Sequence, residues 1–312
     1  MIDKKEINLN WINLVSKANR NADKILVEKV IRALLLLEGL AMQNLNFVFK
    51  GGTALMLHFN STQRLSIDID IVLPKKLKSL DEILSKLSDE QGFKRFEFQK
   101  RASQSNIEKA HYKFFYVPYH KTSKDEEYVL LDILYEEITY VELIEIPVES
   151  SFTPLLGASI KVKVPSLEDL LGDKLTAFAP NTTGIPYYKN KDSMSMEIVK
   201  QLYDIGNLFE NFIINEILKN HLHRGIRPNM YFWTAAGKHE IDLLLDHRGQ
   251  LIPMEIKSSR TINSNFFDGL TYFQGVSGVS PDQSYLLYGG DEVQTRSKAK
   301  ILGWRHLGNI PL

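Results

Sequence analysis

Apolar residues recur with helical spacing near the start of the chain and in short strand-like runs further on. The helical spacing predicts helices over about residues 8 to 19, 23 to 43 and 80 to 87. Apolar runs predict strands at 47 to 49, 66 to 73, 93 to 99, 110 to 118, 127 to 135 and 161 to 164. Pro165-Ser166, with Glu168 and Asp169 behind it, predicts a helix through Phe178, and another helix is expected near 194 to 206. This mixture indicates an α/β (α+β) fold class.

The pattern changes after about residue 207. The spacing predicts a helix at 208 to 222, strands at 229 to 234, 239 to 246 and 251 to 258, a helix at 264 to 275 and a strand at 284 to 288. That order is αβββαβ. A chain of 312 residues has room for about two domains, so we assign 1–207 to one and 208–312 to the other. No Gly/Ser-rich linker separates them, and a continuous or nearly continuous helix is expected across the boundary.

Composition narrows the classes of protein. Hydrophobic residues at 44% and charged residues at 24% are typical of a globular protein, and the formal net charge of +0 argues against a generally basic nucleic-acid binder. The chain has no cysteine, which excludes disulfides and thiolate metal sites and agrees with a cytoplasmic location. The longest apolar run, Ala33 to Leu37, is too short to span a membrane, and the N-terminus is not that of a signal peptide.

The most informative chemistry lies between residues 51 and 70. Gly51-Gly52-Thr53 follows a predicted strand and precedes a predicted helix, Thr53 to Phe59, an arrangement whose backbone N–H groups bind phosphate. Asp68 and Asp70 then alternate with apolar residues in a strand, so both carboxylates share one face. Neighbouring carboxylates repel unless a cation lies between them.

Either feature alone is common on solvated surfaces. Together, and in this order, they favour Mg²⁺-dependent phosphoryl or nucleotidyl transfer. No G-x-x-x-x-G-K-[ST] segment occurs, which excludes a P-loop protein.

Residues 47 to 72, FVFKGGTALMLHFNSTQRLSIDIDIV, resemble the AbiEii/AbiGii-type toxin nucleotidyltransferases of the polymerase-β-like superfamily. The family's GGT and its Arg-x-Ser-x-Asp-x-Asp block are matched, the latter by Arg64, Ser66, Asp68 and Asp70. EDLLGDKLTAF looks like the family's lysine-bearing helix, and KQLYD like its K-D-L-Y-D motif, with Gln201 where the family often has Asp. The resemblance covers about residues 25 to 207.

The resemblance implies transfer of a nucleoside monophosphate from an NTP to an acceptor, which in the family can be the 3′ end of tRNA. It also implies a toxin active in growth arrest, abortive infection or phage defence, paired with a separate antitoxin protein. Asp68 and Asp70 would hold Mg²⁺ or Mn²⁺. The nucleotide would be bound by Gly51, Gly52, Thr53, Arg64 and Ser66, and further catalytic roles would fall to Lys174 and Asp204.

Three charged residues in this region allow more than one interpretation. Lys174 emerges from an apolar helical face, where it either snorkels to solvent or neutralises phosphate charge. Asp204 either pairs with Lys200 at the surface or is the terminal carboxylate of its motif. Asp132 stands in the apolar run YVLLDILY and needs a partner or a metal ion, so it is a candidate third acidic ligand.

A second group of charged residues lies in HEIDLLLD and IPMEIK. Alternation places Glu240 and Asp242 on one face, opposite Ile241, Leu243 and Leu245. A hairpin symmetric about Arg248-Gly249 sets Asp242 across from Glu255, and Glu240 across from Lys257. Asp242 and Glu255 would then hold a metal ion, and Lys257 would position or activate water.

The order E-x-D, E-x-K within αβββαβ resembles the PD-(D/E)xK nuclease superfamily. More narrowly, residues 208 to 309 resemble the C-terminal domain of prokaryotic AAA-type ATPases of unknown function. Glu216 and Gln274 are further candidates for this site. Three alternatives stay open: a metal-dependent nuclease, a module that binds nucleic acid or a partner without cleaving it, and charge pairing that only stabilises a sheet.

Overall fold

The structure, a computed structural model, describes residues 1–43, 45–60, 65–100, 108–120, 125–178, 184–189, 191–226, 228–235 and 239–310. Contacts between these residues divide the chain into two compact units. Unit 1 is Met1–Asp173 and unit 2 is Lys174–Leu312. In the part of the chain described, no helix is long and apolar enough to cross a membrane.

The α-helices are α1 (Leu9–Ala18), α2 (Lys24–Met42), α3 (Gly51–Phe59), α4 (Leu80–Gln91), α5 (Leu167–Phe178), α6 (Ser195–His223) and α7 (Asp268–Ser277). Short 3-10 helices cover Ser264–Phe267, Pro281–Gln283 and Trp304–Asn309. The strands of unit 1 are β1 (Val48–Lys50), β2 (Asp68–Leu73), β3 (Arg95–Gln99), β4 (Glu108–Tyr116), β5 (Glu127–Tyr135), β6 (Leu143–Pro147) and β7 (Lys161–Pro165). Those of unit 2 are β8 (Tyr188–Lys189), β9 (Asp192–Ser193), β10 (Asn229–Ala235), β11 (His239–His247), β12 (Gln250–Lys257), β13 (Tyr285–Tyr288), β14 (Val293–Thr295) and β15 (Lys300–Gly303).

The main sheet of unit 1 has the strand order β1-β2-β5-β4-β3. Strands β2 and β5 run parallel, whereas the other neighbouring pairs run antiparallel. One face of the sheet is apolar, and Ile69, Ile71, Leu131 and Ile133 on it are fully buried in a core shared with α2. The opposite face carries half-exposed side chains, among them Asp70 and Asp132 on adjacent strands.

Helix α2 is buried around most of its circumference, and Glu28, Arg32 and Glu38 are buried along with its apolar side chains. It begins where the Asp23 carboxylate accepts hydrogen bonds from the N–H groups of Ile25 and Leu26. By covering the apolar face of the sheet, α2 leaves the other face open for chemistry.

The main sheet of unit 2 has the strand order β10-β11-β12-β13-β15-β14. Apolar side chains pack on both of its faces. One layer joins Ile213 and Ile217 of α6 to β11, β12 and β13. The other joins Leu270 and Phe273 of α7 to the opposite side. Such burial of both faces is expected where helices cover a sheet that contains parallel strands.

The β11–β12 hairpin has the predicted register, because Leu243 pairs with Met254 and His247 with Gln250. Its turn residues, Arg248 and Gly249, have φ angles of 55° and 83°, as a type I′ turn requires.

The predicted alternation along β11 is wrong at one point. Ile241 packs in the α7 layer, whereas Leu243 and Leu245 pack in the α6 layer. A shift of register between β10 and β11, at Tyr231 and Trp233, is the physical reason, since a β-bulge reverses the alternation of the residues beyond it.

The predicted helices and strands all appear in the structure. The helical segments predicted at 194 to 206 and 208 to 222 form one continuous helix, α6, which confirms the continuity expected across the boundary. Strands β6, β8, β9, β14 and β15 were not predicted. The last four are very short, whereas β6 carries an alternating signal at Ile144 and Ile146 that could have been recognised. The order αβββαβ is present as α6-β10-β11-β12-α7-β13, with β14 and β15 added behind it.

Candidate nucleotidyltransferase site

Gly51 begins α3 directly after β1, and its position requires a glycine for two reasons. Its φ of 85° lies in the left-handed region, which side chains disfavour. A Cβ at this position would also lie 2.1 Å from Asp70 Oδ2. The absence of a side chain therefore lets the Asp70 carboxylate approach the start of α3.

Thr53 links α3 to β2 through a hydrogen bond. Its side chain is completely buried, and its hydroxyl donates a hydrogen bond of 2.7 Å to the Asp68 carbonyl. No side chain caps the first turn of α3 among the described residues, where Lys50 is the N-cap residue. The backbone N–H groups of Gly51, Gly52 and Thr53 are thus the groups with which this turn can bind phosphate, whereas the Thr53 hydroxyl has a structural task.

The carboxylates of β2 and β5 meet on the open face of the sheet. Asp70 is paired with Asp132 in the parallel ladder, and Asp68 lies two residues earlier in β2. Side chains of paired residues and of residues i and i+2 lie on the same face. The register therefore places Asp132, which the sequence offered apart from the pair, on the same face of the sheet as Asp68 and Asp70.

A transverse row of polar residues crosses the sheet at the level of Asp70. Ladder pairing aligns Lys50 of β1, Asp70 of β2, Asp132 of β5, His111 of β4 and Gln99 of β3. His111 Nδ1 lies 2.7 Å from Asp132 Oδ1, which orients this carboxylate. Sequence analysis missed Lys50 and His111. Once β4 and β5 are paired, the polar position of His111 in an otherwise alternating strand is a recognisable signal.

Lys50 is held by two groups of unit 1. Its Nζ lies 2.6 Å from Asp173 Oδ2, and the Tyr140 hydroxyl donates to the same oxygen at 3.0 Å. Burial by itself would lower the pKa of Lys50, but hydrogen bonds to Asp173 and Tyr140 outweigh it and raise the pKa. The ammonium is therefore charged at all physiological pH values. For Tyr140, in contrast, burial itself raises the pKa, to about 12.

These residues fit a hard divalent cation such as Mg²⁺. Carboxylate oxygens are its preferred protein ligands, and Mg²⁺ usually binds through one or two carboxylates together with substrate phosphates and water. The bare Cα of Gly51, which admits the Asp70 carboxylate, provides the room for such an arrangement. Within the described ranges, no three acidic or histidine side chains are gathered closely enough to form a metal site by themselves.

Two family-motif residues meet in unit 2. Lys174 Nζ of α5 lies 2.8 Å from Asp204 Oδ2 of α6, and both side chains are at least nine-tenths buried. Lys174 does not snorkel to solvent, and its partner is Asp204 on another helix. Ser66 lies just before β2, and Arg64 lies outside the described residues.

The second predicted cluster also assembles in unit 2. Lys257 Nζ lies 2.9 Å from Asp242 Oδ2 and 2.7 Å from Glu255 Oε2. Asp242 Oδ2 also accepts a hydrogen bond of 2.7 Å from the Ile256 N–H. Burial, together with the nearby Asp242 charge, raises the pKa of Glu255 to about 8. The pKa of Lys257 is also raised, since Asp242 and Glu255 outweigh burial. At neutral pH, the protonated form of Glu255 is therefore favoured more than in an exposed glutamate, and Lys257 stays charged.

Glu210 is the acidic residue of α6 that belongs to this cluster. Burial, and then the charge of Asp242, raises the pKa of Glu210 to about 7. Glu216, the residue expected from the sequence, pairs with Lys219 at 3.1 Å. Gln274 donates to the Ser284 hydroxyl and the Lys298 carbonyl. Both helix residues thus have other partners, and helical phase relative to the sheet decides which glutamate approaches Asp242.

Comparison with known proteins gives two family matches. The model of the nucleotidyl transferase AbiEii toxin, from type IV toxin–antitoxin systems, matches residues 35–250. The model of DUF4143, a domain of unknown function, matches residues 205–307. No curated protein matches the chain significantly.

Several solved structures are similar to parts of the chain. JHP933 from Helicobacter pylori is 18% identical over 63% of this chain and 77% of its own, with a TM-score of 0.37. MenT4, a nucleotidyltransferase toxin from Mycobacterium tuberculosis H37Rv, is 17% identical over 54% of this chain and 59% of its own, with a TM-score of 0.35. A nucleotidyltransferase-like protein from Paracoccidioides brasiliensis is 14% identical over 57% and 73%, with a TM-score of 0.36.

Proposed function

Because the chain belongs to the AbiEii family of nucleotidyltransferase toxins, and is therefore a nucleotidyltransferase, we propose that it transfers a nucleoside monophosphate from an NTP to an RNA acceptor. This proposal rests mainly on the turn at Gly51. Because Gly51 has no side chain, the Asp70 carboxylate can lie against it, and Asp70 is paired with Asp132 on the neighbouring strand. A phosphate-binding helix start and a group of carboxylates then lie side by side, as phosphoryl transfer needs.

The residues have distinct tasks in this proposal. The N–H groups of Gly51 and Gly52 bind the phosphates of the nucleotide. Asp68, Asp70 and Asp132 hold Mg²⁺, or Mn²⁺, which neutralises charge that develops on the transferred phosphoryl group. Ser66 and Arg64 are further nucleotide-binding candidates from the family motif. Lys174 and Asp204 keep their proposed catalytic roles, and their burial shows a pair held in one geometry.

The proposals for the acceptor and the protein partner rest on membership of the family. Type IV toxin–antitoxin membership supports a separate antitoxin protein, and a toxin role in growth arrest or phage defence. We propose RNA as the acceptor, with tRNA as the first to test, and a cytoplasmic location for the reaction.

The test is transfer of label from each of the four NTPs to total tRNA, with Mg²⁺ and the full chain, followed by a denaturing gel. We expect label on a discrete RNA band, and at least a hundredfold loss, as removal of a charge-stabilising group causes, in Asp68→Asn and Asp70→Asn. Asp89→Asn, the same change at the exposed end of α4, serves as the matched control. Undiminished transfer by the Asp68→Asn/Asp70→Asn double variant would exclude this site, and failure to label any tRNA band would exclude tRNA as the acceptor.

A second function is favoured by the contacts of Lys257 with Asp242 and Glu255. We propose that residues 208–312 form a PD-(D/E)xK-like domain, joined to the nucleotidyltransferase domain 1–207 within α6. In this domain Asp242 and Glu255 would hold a metal ion, and Lys257 would position water for phosphodiester cleavage. The alternative is that the domain binds nucleic acid or a partner without cleaving it.

The two roles are separated in the Asp68→Asn background, which removes transfer. A nuclease would cut single- or double-stranded nucleic acid with Mg²⁺ and lose this activity in Glu255→Gln and Lys257→Gln. Identical cutting by these variants would contradict the nuclease proposal. Retention of binding without any cutting would favour the binding module.

A further inference from the structure

The Lys50 side chain is fixed at the end of β1. Its ammonium contacts Asp173 Oδ2 at 2.6 Å and lies 5.7 Å from the centre of the Tyr140 ring. The Tyr140 hydroxyl in turn donates to the same Asp173 oxygen. Ordering a lysine side chain normally costs conformational entropy. Because Asp173 and Tyr140 already hold the Lys50 side chain, little of this entropy remains to be lost when a ligand binds.

The position of Lys50 relates it to the transferase site. Lys50 and Asp70 are directly paired in the antiparallel β1–β2 ladder, so their side chains emerge on the same face of the sheet. Lys50 is also the residue immediately before Gly51, where α3 begins. The ammonium thus belongs to the same small region as the phosphate-binding N–H groups and the carboxylate row.

Charge balance shows why this region needs a cation. Asp68, Asp70 and Asp132 are acidic, and an NTP adds several negative charges, of which one divalent ion neutralises only a part. Lys50 is the lysine of the described transverse row, and its ammonium group supplies positive charge there. An ammonium has three N–H donors, and its described contacts are with Asp173 and the Tyr140 hydroxyl, so a third donor is available to a phosphate oxygen.

We propose that Lys50 binds the β- and γ-phosphates of the donor NTP, and that Asp173 and Tyr140 are positioning residues that hold its ammonium. This proposal rests on the proposed nucleotidyltransferase function and adds the group that distinguishes a triphosphate from a monophosphate. A Lys50–Asp173 pair with a structural role alone would contribute equally to the binding of NTP and NMP.

The test is the dissociation constant of the full chain for each NTP and the corresponding NMP, measured by calorimetry with Mg²⁺ and without RNA. A hydrogen bond from an ammonium to phosphate corresponds to about a tenfold to a hundredfold effect. We expect Lys50→Gln to weaken NTP binding by this factor and to change NMP binding by less than about twofold. The matched control is Lys113→Gln, a half-buried lysine of β4 on the same face, which should change neither constant.

Variants of the positioning residues keep the test decisive if Lys50→Gln fails to fold. Tyr140→Phe keeps the ring but removes the hydroxyl, and Asp173→Asn keeps the hydrogen bond but removes the charge. Each should weaken NTP binding less than Lys50→Gln while sparing NMP binding, and Lys50→Arg should restore part of the affinity. Equal losses for NTP and NMP, or none, would overturn the role of Lys50. Failure of the wild-type chain to bind any NTP would instead overturn the proposed function.

Discussion

At the residue scale, Gly51 shows most directly how backbone conformation makes the site. Its positive φ and the close Asp70 carboxylate both depend on the absence of a side chain. Gly92 offers a contrast, since its φ is 76° but no atom lies within 4 Å of where its Cβ would be. Alanine substitutions at Gly51 and Gly92 therefore separate the cost of backbone strain from the cost of a steric clash with Asp70.

We therefore expect Gly51→Ala to reduce stability more than Gly92→Ala and to abolish nucleotide transfer, which Gly92→Ala should preserve. Backbone strain at such a position costs about 1–3 kcal/mol, and the collision with Asp70 adds to it in Gly51→Ala alone. Urea unfolding and the transfer assay measure the two effects. Equal destabilisation of both variants would show that the Gly51–Asp70 approach is unimportant.

His111 is the residue-scale counterpart on the other side of the carboxylates. A histidine that orients a metal-binding carboxylate typically affects metal affinity or activity by about tenfold to a hundredfold. We expect His111→Leu to raise the Mg²⁺ concentration for half-maximal transfer and to lower kcat more than it changes KM. His111→Asn retains a donor near the Nδ1 position and should recover part of the loss. An unchanged Mg²⁺ dependence in His111→Leu would contradict a positioning role.

At the element scale, the site depends on how α3 is joined to β2. The only residues between these elements that the structure describes are 60 and 65–67, and the buried Thr53 hydroxyl provides a direct link to the Asp68 carbonyl. This bond fixes the helix start relative to the strand that carries Asp68 and Asp70. Coupling between these elements is therefore part of the chemistry as well as of the fold.

Thr53→Val removes the hydroxyl while preserving volume, and should lower the free energy of unfolding by about 1–2 kcal/mol. Transfer activity should fall with it, because α3 and Asp68 lose their fixed spacing. Thr53→Ser keeps the hydroxyl and is the matched control, with only a lost methyl group. If the serine and valine variants lost equal activity, packing of the methyl group rather than the hydrogen bond would be responsible.

At the scale of the whole molecule, the buried acids of unit 2 make stability depend on pH. The pKa of Glu255 is raised from 4.5 to about 8 in the folded chain. The folded state therefore retains a proton that the unfolded state loses above pH 4.5. The contribution of Glu255 to the free energy of unfolding is therefore fully present below pH 4.5 and is lost as pH rises towards 8. Glu210, with its pKa raised to about 7, acts in the same direction.

We expect the free energy of unfolding of unit 2 to fall by on the order of a few kcal/mol between pH 5 and pH 8.5 in the wild type. In Glu255→Gln this decrease should be smaller. A Trp11→Phe background leaves Trp233 and Trp304, both in unit 2, as the fluorescent reporters of unfolding. Parallel pH profiles for wild type and Glu255→Gln would show that Glu255 keeps an ordinary pKa. The control is Asp246→Asn, on the neighbouring strand β11, where Asp246 accepts a hydrogen bond from the Gly249 N–H at the hairpin turn.

The sequence by itself determined most of the helices and strands and the candidate residues around Gly51, Asp68 and Asp70. Helical and alternating spacing fixed most boundaries, and the order of GGT and Asp-x-Asp placed a phosphate-binding turn before a carboxylate strand, because both signals are local. Only the tertiary structure decided which strands are neighbours. Pairing of β5 with β2 and β4 aligned Asp132 with Asp70 and His111, and the fold of unit 1 brought Asp173 within ion-pair distance of Lys50. Such contacts join residues distant in sequence, so no local spacing encodes them. The bulge in β11 and the choice of Glu210 over Glu216 likewise follow from strand register and helix packing.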